Sequence, residues 1–503
     1  MSAEVAPARA AETSAVISLL ALSAAVAFAP PPDTVATPDV RVIRSLDANR
    51  RYVRLLQDID VDGVHGTETS LVDLATGRFA ERVSAGPLSS GDGFDGTRAW
   101  SSDATGMAIV EGNAQARLDS LAWAHFVGRR GPEHPIVSTS RNVHGDAIVR
   151  LRYPALDAPI VVTLDRSTGL VREIEDDSGG EATRSRYADY RRVNDVVVPF
   201  SQEITTRFGI ARERVRSVEP VASVADDAFD PPPPPDDATL DGTTSIPMVL
   251  RRGHPIVPIR IDDGPVLHVL FDTGASNDVT PSVARRLHLQ VVGAGKAGGF
   301  GAGVVSRRYA TAKRMRIGNA ELRDQPFAVI AGDDPGVDGT IGCEVMQRFA
   351  VRFDFRGKRI VLSRDVDAFG ISAPAIPMRL SGCEPEIDGA LDGMPGALGL
   401  DTGDANSLLV MAPFVRAHKL VARYHANEVI LSGAVAGYAA GLRAIAHTIR
   451  LGPVTVDDVP IELSVMTKGA ANDPTELGNV GIRILSRFEP VFDYGSNRVW
   501  LLR

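Results

Sequence analysis

The chain has 503 residues, of which 44% are apolar and 23% are charged, and its formal net charge is −9. This composition is typical of a globular protein. The chain is longer than domains built around a single hydrophobic core, so we expect about three domains. The chain has no run of Lys and Arg that would favour nucleic-acid binding, and its two cysteines exclude a disulfide-rich scaffold or a four-cysteine metal site.

An apolar segment, residues 15–29, is the first predicted element. It is short for a membrane span, it ends in two overlapping Ala-x-Ala sequences, and Pro30-Pro31-Pro32 follows it. This pattern indicates a secretory signal peptide over residues 1–29, and the alternative is a disordered Ala-rich tail. We therefore expect an exported protein, periplasmic or extracellular.

The next segment, residues 38–225, alternates short apolar runs with turn sequences such as Gly93–Gly96 and Asp165–Gly169. This alternation predicts a curved antiparallel sheet, and the apolar spacing at 39–58 and 114–128 predicts helices, giving an α+β domain. The order of these segments resembles the outer-membrane lipoprotein-sorting domains of bacterial periplasmic proteins. That resemblance implies contact with a lipid or a lipoprotein.

A proline-rich stretch, residues 226–242, follows and contains five consecutive prolines, Pro231–Pro235. Consecutive prolines cannot form a helix or join a sheet ladder, so this stretch is interpreted as a stiff linker. The remaining chain is then divided into residues 243–370 and 371–503.

The last 260 or so residues contain an internal duplication, a pattern that indicates repeated structural units. Both copies carry an Asp-Thr-Gly sequence, a downstream Gly-rich segment and a later apolar-Gly pair, in the same order. The matched positions are Asp272-Thr273-Gly274 and Asp401-Thr402-Gly403, residues 298–304 and 433–441, and Ile341-Gly342 and Val480-Gly481. Each copy is rich in Val, Ile and Gly, which predicts mostly β structure.

Each Asp-Thr-Gly sequence follows an apolar strand, which places the aspartate carboxylate in the low-dielectric interior of the protein. Glycine permits a tight turn in which backbone N–H groups approach the carboxylate, and the threonine hydroxyl can bond across to the other copy. Twofold pseudosymmetry would bring Asp272 and Asp401 face to face. Two adjacent carboxylates share one proton, so one serves as the general base for a water while the other polarises a carbonyl.

The segment Val269–Ser276 resembles the active-site turn of retroviral-type aspartic peptidases, the retropepsins. The resemblance implies two acid-protease β-barrel lobes in tandem, closest to bacterial exported aspartyl-protease proteins, with both turns in one chain as in pepsins. It implies that Ile341-Gly342 and Val480-Gly481 close ψ-shaped loops behind the aspartates. It also implies flaps over the cleft, with Phe300 and Tyr438 as aromatic residues at the flap tips.

These patterns predict an aspartic-type endopeptidase with catalytic Asp272 and Asp401, supported by Thr273, Gly274, Thr402 and Gly403. The chemistry requires neither a metal nor another cofactor. We expect a monomer that acts on a peptide or protein substrate.

Four points stay open at this stage. Asp404 puts a third carboxylate after the second turn, where it would raise the pKa values of the pair or need its own partner, unless it points to solvent. One alternative function is a non-catalytic periplasmic peptide- or lipoprotein-binding protein that keeps the acid-protease fold. Another arrangement is a homodimer that pairs Asp272 with Asp272. Cys343 and Cys383 could form a disulfide in an oxidising compartment or remain free core residues.

Overall fold

The computed structural model describes residues 51–110, 136–151, 159–177, 182–193 and 196–503, apart from positions 74, 75, 77, 302, 333, 335 and 436, together with the strand β1 (Val5–Ala6). These residues are mostly in strands, which confirms the prediction of a mainly β protein. The predicted export segment 15–29 and the predicted helix 114–128 lie outside the described residues. No helix in the described part is long and apolar enough to cross a membrane.

The described chain forms two compact units that divide between Pro234 and Pro235. The described residues of the first unit form one antiparallel sheet of thirteen strands, in the spatial order β7-β6-β5-β4-β3-β2-β14-β13-β12-β11-β10-β9-β8. Its strands are β2 (Tyr52–Val61), β3 (Val64–Asp73), β4 (Phe79–Ser84), β5 (Ser90–Phe94), β6 (Ala99–Ser102), β7 (Ala108–Val110), β8 (Ile136–Arg141), β9 (Ala147–Leu151), β10 (Ile160–Leu164), β11 (Val171–Asp176), β12 (Thr183–Val193), β13 (Val196–Thr205) and β14 (Ile210–Val221).

The helix predicted over 39–58 is wrong where the structure describes it, because β2 begins at Tyr52. Leu55, Gln57, Ile59 and Val61 are buried while the residues between them are not. This is the period of two that a strand requires, and the polar Gln57 at a buried position hid it from an argument based on apolar spacing.

The start of the proline-rich stretch packs on the sheet of the first unit. Phe229 and Trp100 are each 1% exposed and lie together with Ala80 in one apolar cluster. The Trp100 indole N–H donates to the Phe229 carbonyl oxygen at 2.9 Å. A buried indole N–H needs such a partner, so Phe229 is fixed in place by both packing and a hydrogen bond.

The second unit contains the duplicated part of the chain. Its strands are β15 (Ala238–Thr239), β16 (Thr243–Pro247), β17 (Val249–Arg251), β18 (His254–Ile261), β19 (Val266–Phe271), β20 (Asp278–Val279), β21 (Val292–Ala297), β22 (Val305–Ile317), β23 (Ala320–Ile330), β24 (Gly339–Ile341), β25 (Ala350–Asp354), β26 (Arg359–Ser363), β27 (Ile376–Ser381), β28 (Glu384–Leu391), β29 (Met394–Leu400), β30 (Leu408–Val410), β31 (Val429–Ala434), β32 (Gly437–Leu451), β33 (Val454–Ser464), β34 (Gly478–Val480), β35 (Glu489–Asp493) and β36 (Arg498–Leu502). The α-helices are α1 (Pro281–Arg286), α2 (Cys343–Met346), α3 (Ala412–Ala417), α4 (Leu420–Arg423) and α5 (Ile482–Leu485).

The same order of elements occurs twice in this unit. The first repeat, residues 243–370, runs from β18 through α1 to β26, and the second repeat, residues 371–503, runs from β28 through α3 to β36. The repeats meet where β25 pairs antiparallel with β35, with Val351 opposite Phe492. Below this junction Phe353 stacks edge-on against both Phe271 and Phe492, with ring centroids 5.3 and 5.9 Å away. The strand leading to Asp272 is therefore packed onto the shared part of the two repeats.

Candidate active site

Each Asp-Thr-Gly turn begins at the end of a buried strand that has a parallel neighbour. β19 pairs with β24, and β29 pairs with β34 in the equivalent register. The Asp272 N–H donates to the Ile341 carbonyl at 2.8 Å, and the Asp401 N–H donates to the Val480 carbonyl at 3.0 Å. The apolar-Gly pairs of the sequence therefore lie directly behind the two aspartates, in both repeats.

The glycine of each pair is required by the close approach of other backbone atoms. A Cβ atom on Gly342 would lie 1.8 Å from the Asp272 carbonyl oxygen, and one on Gly481 would lie 2.4 Å from the Asn406 carbonyl oxygen. Both separations are far below van der Waals contact, so no other residue fits without moving the turn that carries the aspartate.

The two turns are joined by four reciprocal hydrogen bonds of their threonines, two between the threonines and two to the strands that precede the turns. The Thr273 N–H donates to Thr402 Oγ1 at 3.1 Å, and the Thr402 N–H donates to Thr273 Oγ1 at 2.9 Å. The Thr273 hydroxyl donates to the Leu400 carbonyl at 2.6 Å, and the Thr402 hydroxyl donates to the Phe271 carbonyl at 2.9 Å. Both threonines are fully buried. These bonds fix the position of one aspartate relative to the other.

The carboxyls of Asp272 and Asp401 are buried and hydrogen-bond to one another within the single chain. The N–H groups of Gly274 and Gly403 donate to Oδ1 of Asp272 and Asp401 at 2.8 and 2.7 Å. Burial raises the pKa of Asp272 well above its usual range, and the adjacent Asp401 carboxyl adds to the rise. The pair can therefore hold one shared proton at pH values where isolated carboxyls are ionised.

Asp401 receives more hydrogen bonds than Asp272. The Asp404 N–H donates to Asp401 Oδ1 at 3.2 Å, and the Asn479 side-chain amide donates to Asp401 Oδ2 at 2.9 Å. Two backbone N–H groups and one side-chain amide therefore fix the orientation of the Asp401 carboxyl. Asn479 was not predicted as a site residue, although it is the polar residue that precedes Val480-Gly481. Thr340 is its equivalent in the first repeat.

Asp404 points into the protein, because its residue is only 4% exposed. Its carboxyl accepts from the Asn406 N–H at 2.8 Å and from the Asn479 amide at 3.4 Å. Burial, and then the charge of Asp401, raise the pKa of Asp404 to about 7. Asp404 is thus a neutral acid over the range in which a solvent-exposed aspartate would be charged.

We expect Asp404→Asn to stabilise the protein at pH 8 and to leave its stability unchanged near pH 4. The folded state keeps a proton on Asp404 up to about pH 7 while the unfolded chain releases it near pH 4, so wild-type stability falls as the pH rises between these values. Asparagine resembles the protonated acid but does not titrate, so the stability of the variant does not fall with pH in this range. A pKa difference of about three units corresponds to roughly 4 kcal/mol.

Urea unfolding of wild type and Asp404→Asn at pH 4 and pH 8 measures this difference. The matched control is Asp388→Asn, since the Asp388 side chain is 82% exposed and pairs with Arg379 on the surface. Equal pH dependence in wild type and Asp404→Asn would show that Asp404 is ionised in the folded protein.

Two further residues contact the site from the second repeat. Glu384 lies against the strand that leads to Asp401, since a Cβ on Gly399 would be 2.2 Å from Glu384 Oε1, and its charge contributes to the raised pKa of Asp272. The buried Tyr494 hydroxyl lies 3.2 Å from the Thr273 carbonyl and 3.0 Å from the Cys383 carbonyl. Glu384 belongs to no repeated motif, whereas Tyr494 directly follows Asp493, at the position that Phe355 holds after Asp354 in the first repeat.

Cys343 and Cys383 form a disulfide, with their Cα atoms 5.6 Å apart. Cys343 begins α2, directly after the Ile341-Gly342 pair, and Cys383 lies in the turn between β27 and β28. The disulfide therefore joins the first repeat to the second beside the two turns. The sequence had left the state of these two cysteines open.

The two residues predicted at flap tips have different surroundings. Phe300 is 3% exposed and packs among residues of the second repeat, in a cluster with Leu409, Met411 and Met466. Tyr438 is 56% exposed, at the start of β32. The Gly-rich segment of the first repeat thus contacts the second repeat, and the flap role of both aromatic residues stays a prediction.

Comparison with known proteins supports part of this description. Residues 257–345, which include Asp272 and the Ile341-Gly342 pair, match the model of a family described as aspartyl protease. No curated protein matches the chain.

Solved structures show weaker likenesses. A retropepsin-like aspartic protease from Rickettsia conorii is 12% identical, with a TM-score of 0.17, and the match covers 22% of this chain and 78% of that one. A LolA superfamily protein from Nitrosomonas europaea is 9% identical, with a TM-score of 0.27, and the match covers 36% and 90% of the two chains. TM-scores this low do not establish a shared fold over the whole chain.

Proposed function

We propose that this protein is an aspartic-type endopeptidase that hydrolyses peptide bonds with a water activated between Asp272 and Asp401. The observation that carries the proposal is the contact of the two buried carboxyls, which the reciprocal threonine bonds hold together. A pair of carboxyls that shares one proton contains both a general base and a general acid.

The two aspartates have different roles in this proposal. Asp401 accepts from two backbone N–H groups and from Asn479, which hold its carboxyl in place as the general base. The raised pKa of Asp272 makes it the protonated member and the general acid. In this proposal Asn479 is a positioning residue that acts through Asp401.

The reaction then proceeds without a covalent intermediate. Asp401 takes a proton from the water as its oxygen attacks the carbonyl carbon of the peptide bond, and Asp272 donates its proton to the carbonyl oxygen. As the C–N bond breaks, Asp401 donates the proton it took from water to the amide nitrogen, and a hydroxyl group of the tetrahedral intermediate returns a proton to Asp272. The products are a carboxylic acid and an amine, and the pair again holds one proton.

We also propose that the protein is exported, on the basis of the apolar segment 15–29 and its Ala-x-Ala sequences. Determining the N-terminus of the mature protein from an expressing cell tests this. A mature chain that still begins at Met1 would contradict export by cleavage.

The test of the peptidase is digestion of casein and of a peptide library by wild type, Asp272→Asn and Asp401→Asn. Both substitutions keep the shape of the side chain and remove the acid–base pair, so we expect cleavage to fall by about 100- to 10 000-fold. The matched control is Asp263→Asn, because the Asp263 side chain is 91% exposed and pairs with Arg314.

Cleavage that survives both substitutions would show that the pair is not responsible for it. Peptides that bind to wild type and are never cut would instead favour a non-catalytic peptide-binding protein. Thermal unfolding of each variant shows whether the protein is still folded when its activity is lost.

A further inference from the structure

The two turns differ at the residue that follows Asp-Thr-Gly, which is Ala275 in the first repeat and Asp404 in the second. Both residues are buried. A carboxyl therefore occupies a position in the second repeat where the first repeat has only a methyl group. The proposed hydrolysis does not use this third carboxyl, and a buried acid beside the pair requires an explanation.

Asp404 is linked to Asp401 in two ways. The Asp404 N–H donates to Asp401 Oδ1 at 3.2 Å. The Asn479 side-chain amide donates to Asp401 Oδ2 at 2.9 Å and also to Asp404 Oδ2 at 3.4 Å. The two Oδ2 atoms are therefore at most the sum of these distances apart, about 6 Å. A charge on one carboxyl at this range changes the proton affinity of the other.

The backbone around Asp404 fixes the direction of its carboxyl. The Asn406 N–H donates to Asp404 Oδ1 at 2.8 Å, and the Ile482 N–H donates to the Asp404 carbonyl at 2.8 Å. A Cβ on Gly481 would lie 2.7 Å from that same carbonyl oxygen. The turn is thus packed closely on both sides, and the carboxyl stays directed toward Asn479.

Charged groups reach this turn from two further elements. Glu462 on β33 is buried, and its charge adds to the raised pKa of Asp404. Arg483 on α5 is exposed, and its Nε donates to the Ala405 carbonyl at 3.0 Å. The two acids nearest to Asp404, which are Asp401 and Glu462, therefore both favour its protonated form.

The protons on Asp404 and on the aspartate pair depend on one another. Burial, and then the charge of Asp401, raise the pKa of Asp404 to about 7. Coupling between two proton sites is reciprocal, so an ionised Asp404 favours a proton on the pair by the same amount. Below about pH 7 Asp404 is neutral and adds no charge beside the pair. Above this pH its negative charge makes the shared proton harder to remove.

We propose that Asp404 is a positioning residue, acting through Asp401 and Asn479, whose charge keeps the shared proton on the aspartate pair at neutral and mildly alkaline pH. The proposed reaction needs this proton, because it is the proton that the general acid donates. Asp404 thereby extends the activity to higher pH. This inference rests on the proposed peptidase function, since it assigns Asp404 a role in that reaction.

The pH profile of kcat/KM between pH 4 and 9, measured for wild type and Asp404→Asn with a casein peptide that wild type cleaves, tests the proposal. A charge within about 4–6 Å changes the pKa of a carboxyl by about 1–3. We therefore expect the alkaline limb of the Asp404→Asn profile to lie lower by about 1 pH unit or more, a loss of about 10-fold or more on that limb. At pH 5 the two proteins should agree within about twofold, because Asp404 is neutral there.

The matched control is Asp388→Asn, whose profile should equal that of wild type, because the Asp388 side chain is 82% exposed. Asp404→Ala gives a second variant with the residue of the first repeat, and it should move the alkaline limb in the same direction. An alkaline limb that stays in place in both Asp404 variants overturns the proposal. A loss of equal size at every pH also overturns it, because Asp404 would then only hold the turn together.

Carbon-13 NMR of protein labelled at its aspartate carboxyls gives a measurement that needs no cleavage. The signals of Asp272 and Asp401 are identified by their loss in Asp272→Asn and Asp401→Asn. Their titration should move to lower pH in Asp404→Asn. If wild type cleaves no peptide, a moved titration supports the coupling while the proposed peptidase function fails. An unchanged titration overturns the role of Asp404 whether or not the protein is a peptidase.

Discussion

Gly403→Ala is expected to lower peptidase activity by about 100-fold or more, because a displacement of roughly 1 Å at a reacting group has an effect of that size. A Cβ on Gly403 would lie 2.2 Å from Asp272 Oδ2 and 2.4 Å from its Cγ. Gly403 is not among the glycines with a positive φ, so alanine fits the backbone. The clash is relieved when the Asp272 carboxyl moves away from Asp401, so the loss falls on catalysis more than on folding.

Gly274→Ala is the matched control for this prediction. Its Cβ would lie 3.3 Å from Asp401 Cγ, a close contact that a small shift relieves. We therefore expect a clearly smaller loss of kcat/KM than for Gly403→Ala, with similar thermal unfolding of both variants. Equal losses would show that the two turns face each other more symmetrically than the structure describes.

Thr402→Val is expected to destabilise the second unit by about 2–6 kcal/mol, since two buried backbone groups would each lose their partner. The two groups are the Thr273 N–H and the Phe271 carbonyl, both of which bond to the Thr402 hydroxyl. Valine has nearly the same shape as threonine, so packing changes little and the effect reports the hydrogen bonds. Denaturant unfolding followed by a probe of this unit measures it.

Thr402→Ser is the control, because it keeps the hydroxyl and loses only a methyl group, at a cost of about 1 kcal/mol. Thr273→Val should cost as much as Thr402→Val, and the double substitution should cost less than the sum, because both threonines belong to one network. Fully additive effects would indicate that the two turns are stabilised independently. A loss of activity in the single valine variants would follow from a changed distance between the two aspartates.

The prediction of the two aspartates rests on local patterns in the sequence, and their catalytic role stays a prediction. An apolar strand, an Asp-Thr-Gly turn and an apolar-Gly pair occur in one order in both repeats, and the structure brings them together in that order. The prediction was less successful in the first unit. The apolar spacing predicts a helix where β2 forms, since the buried Gln57 interrupts the apolar alternation of the strand.

The residues that distinguish the two aspartates came only from the structure. Asn479, Glu384 and Tyr494 lie 78, 17 and 93 residues from Asp401 along the chain. The direction of the Asp404 side chain depends on whether Asn406 and Asn479 are placed to donate hydrogen bonds to its carboxyl. Hydrogen bonds across distant segments form only when the fold brings those segments together, so such roles are not encoded in any one motif.

By itself, then, the sequence determined the duplicated turn and the identity of its two carboxyls, because turns and strand patterns are set by neighbouring residues. Only the tertiary structure decided that Asp401 has the larger number of donors, that Asp404 is buried and that the cysteines pair. Each of these depends on which side chains meet across strands far apart in sequence. Burial and distance, which set charge and pKa, exist only in the folded chain.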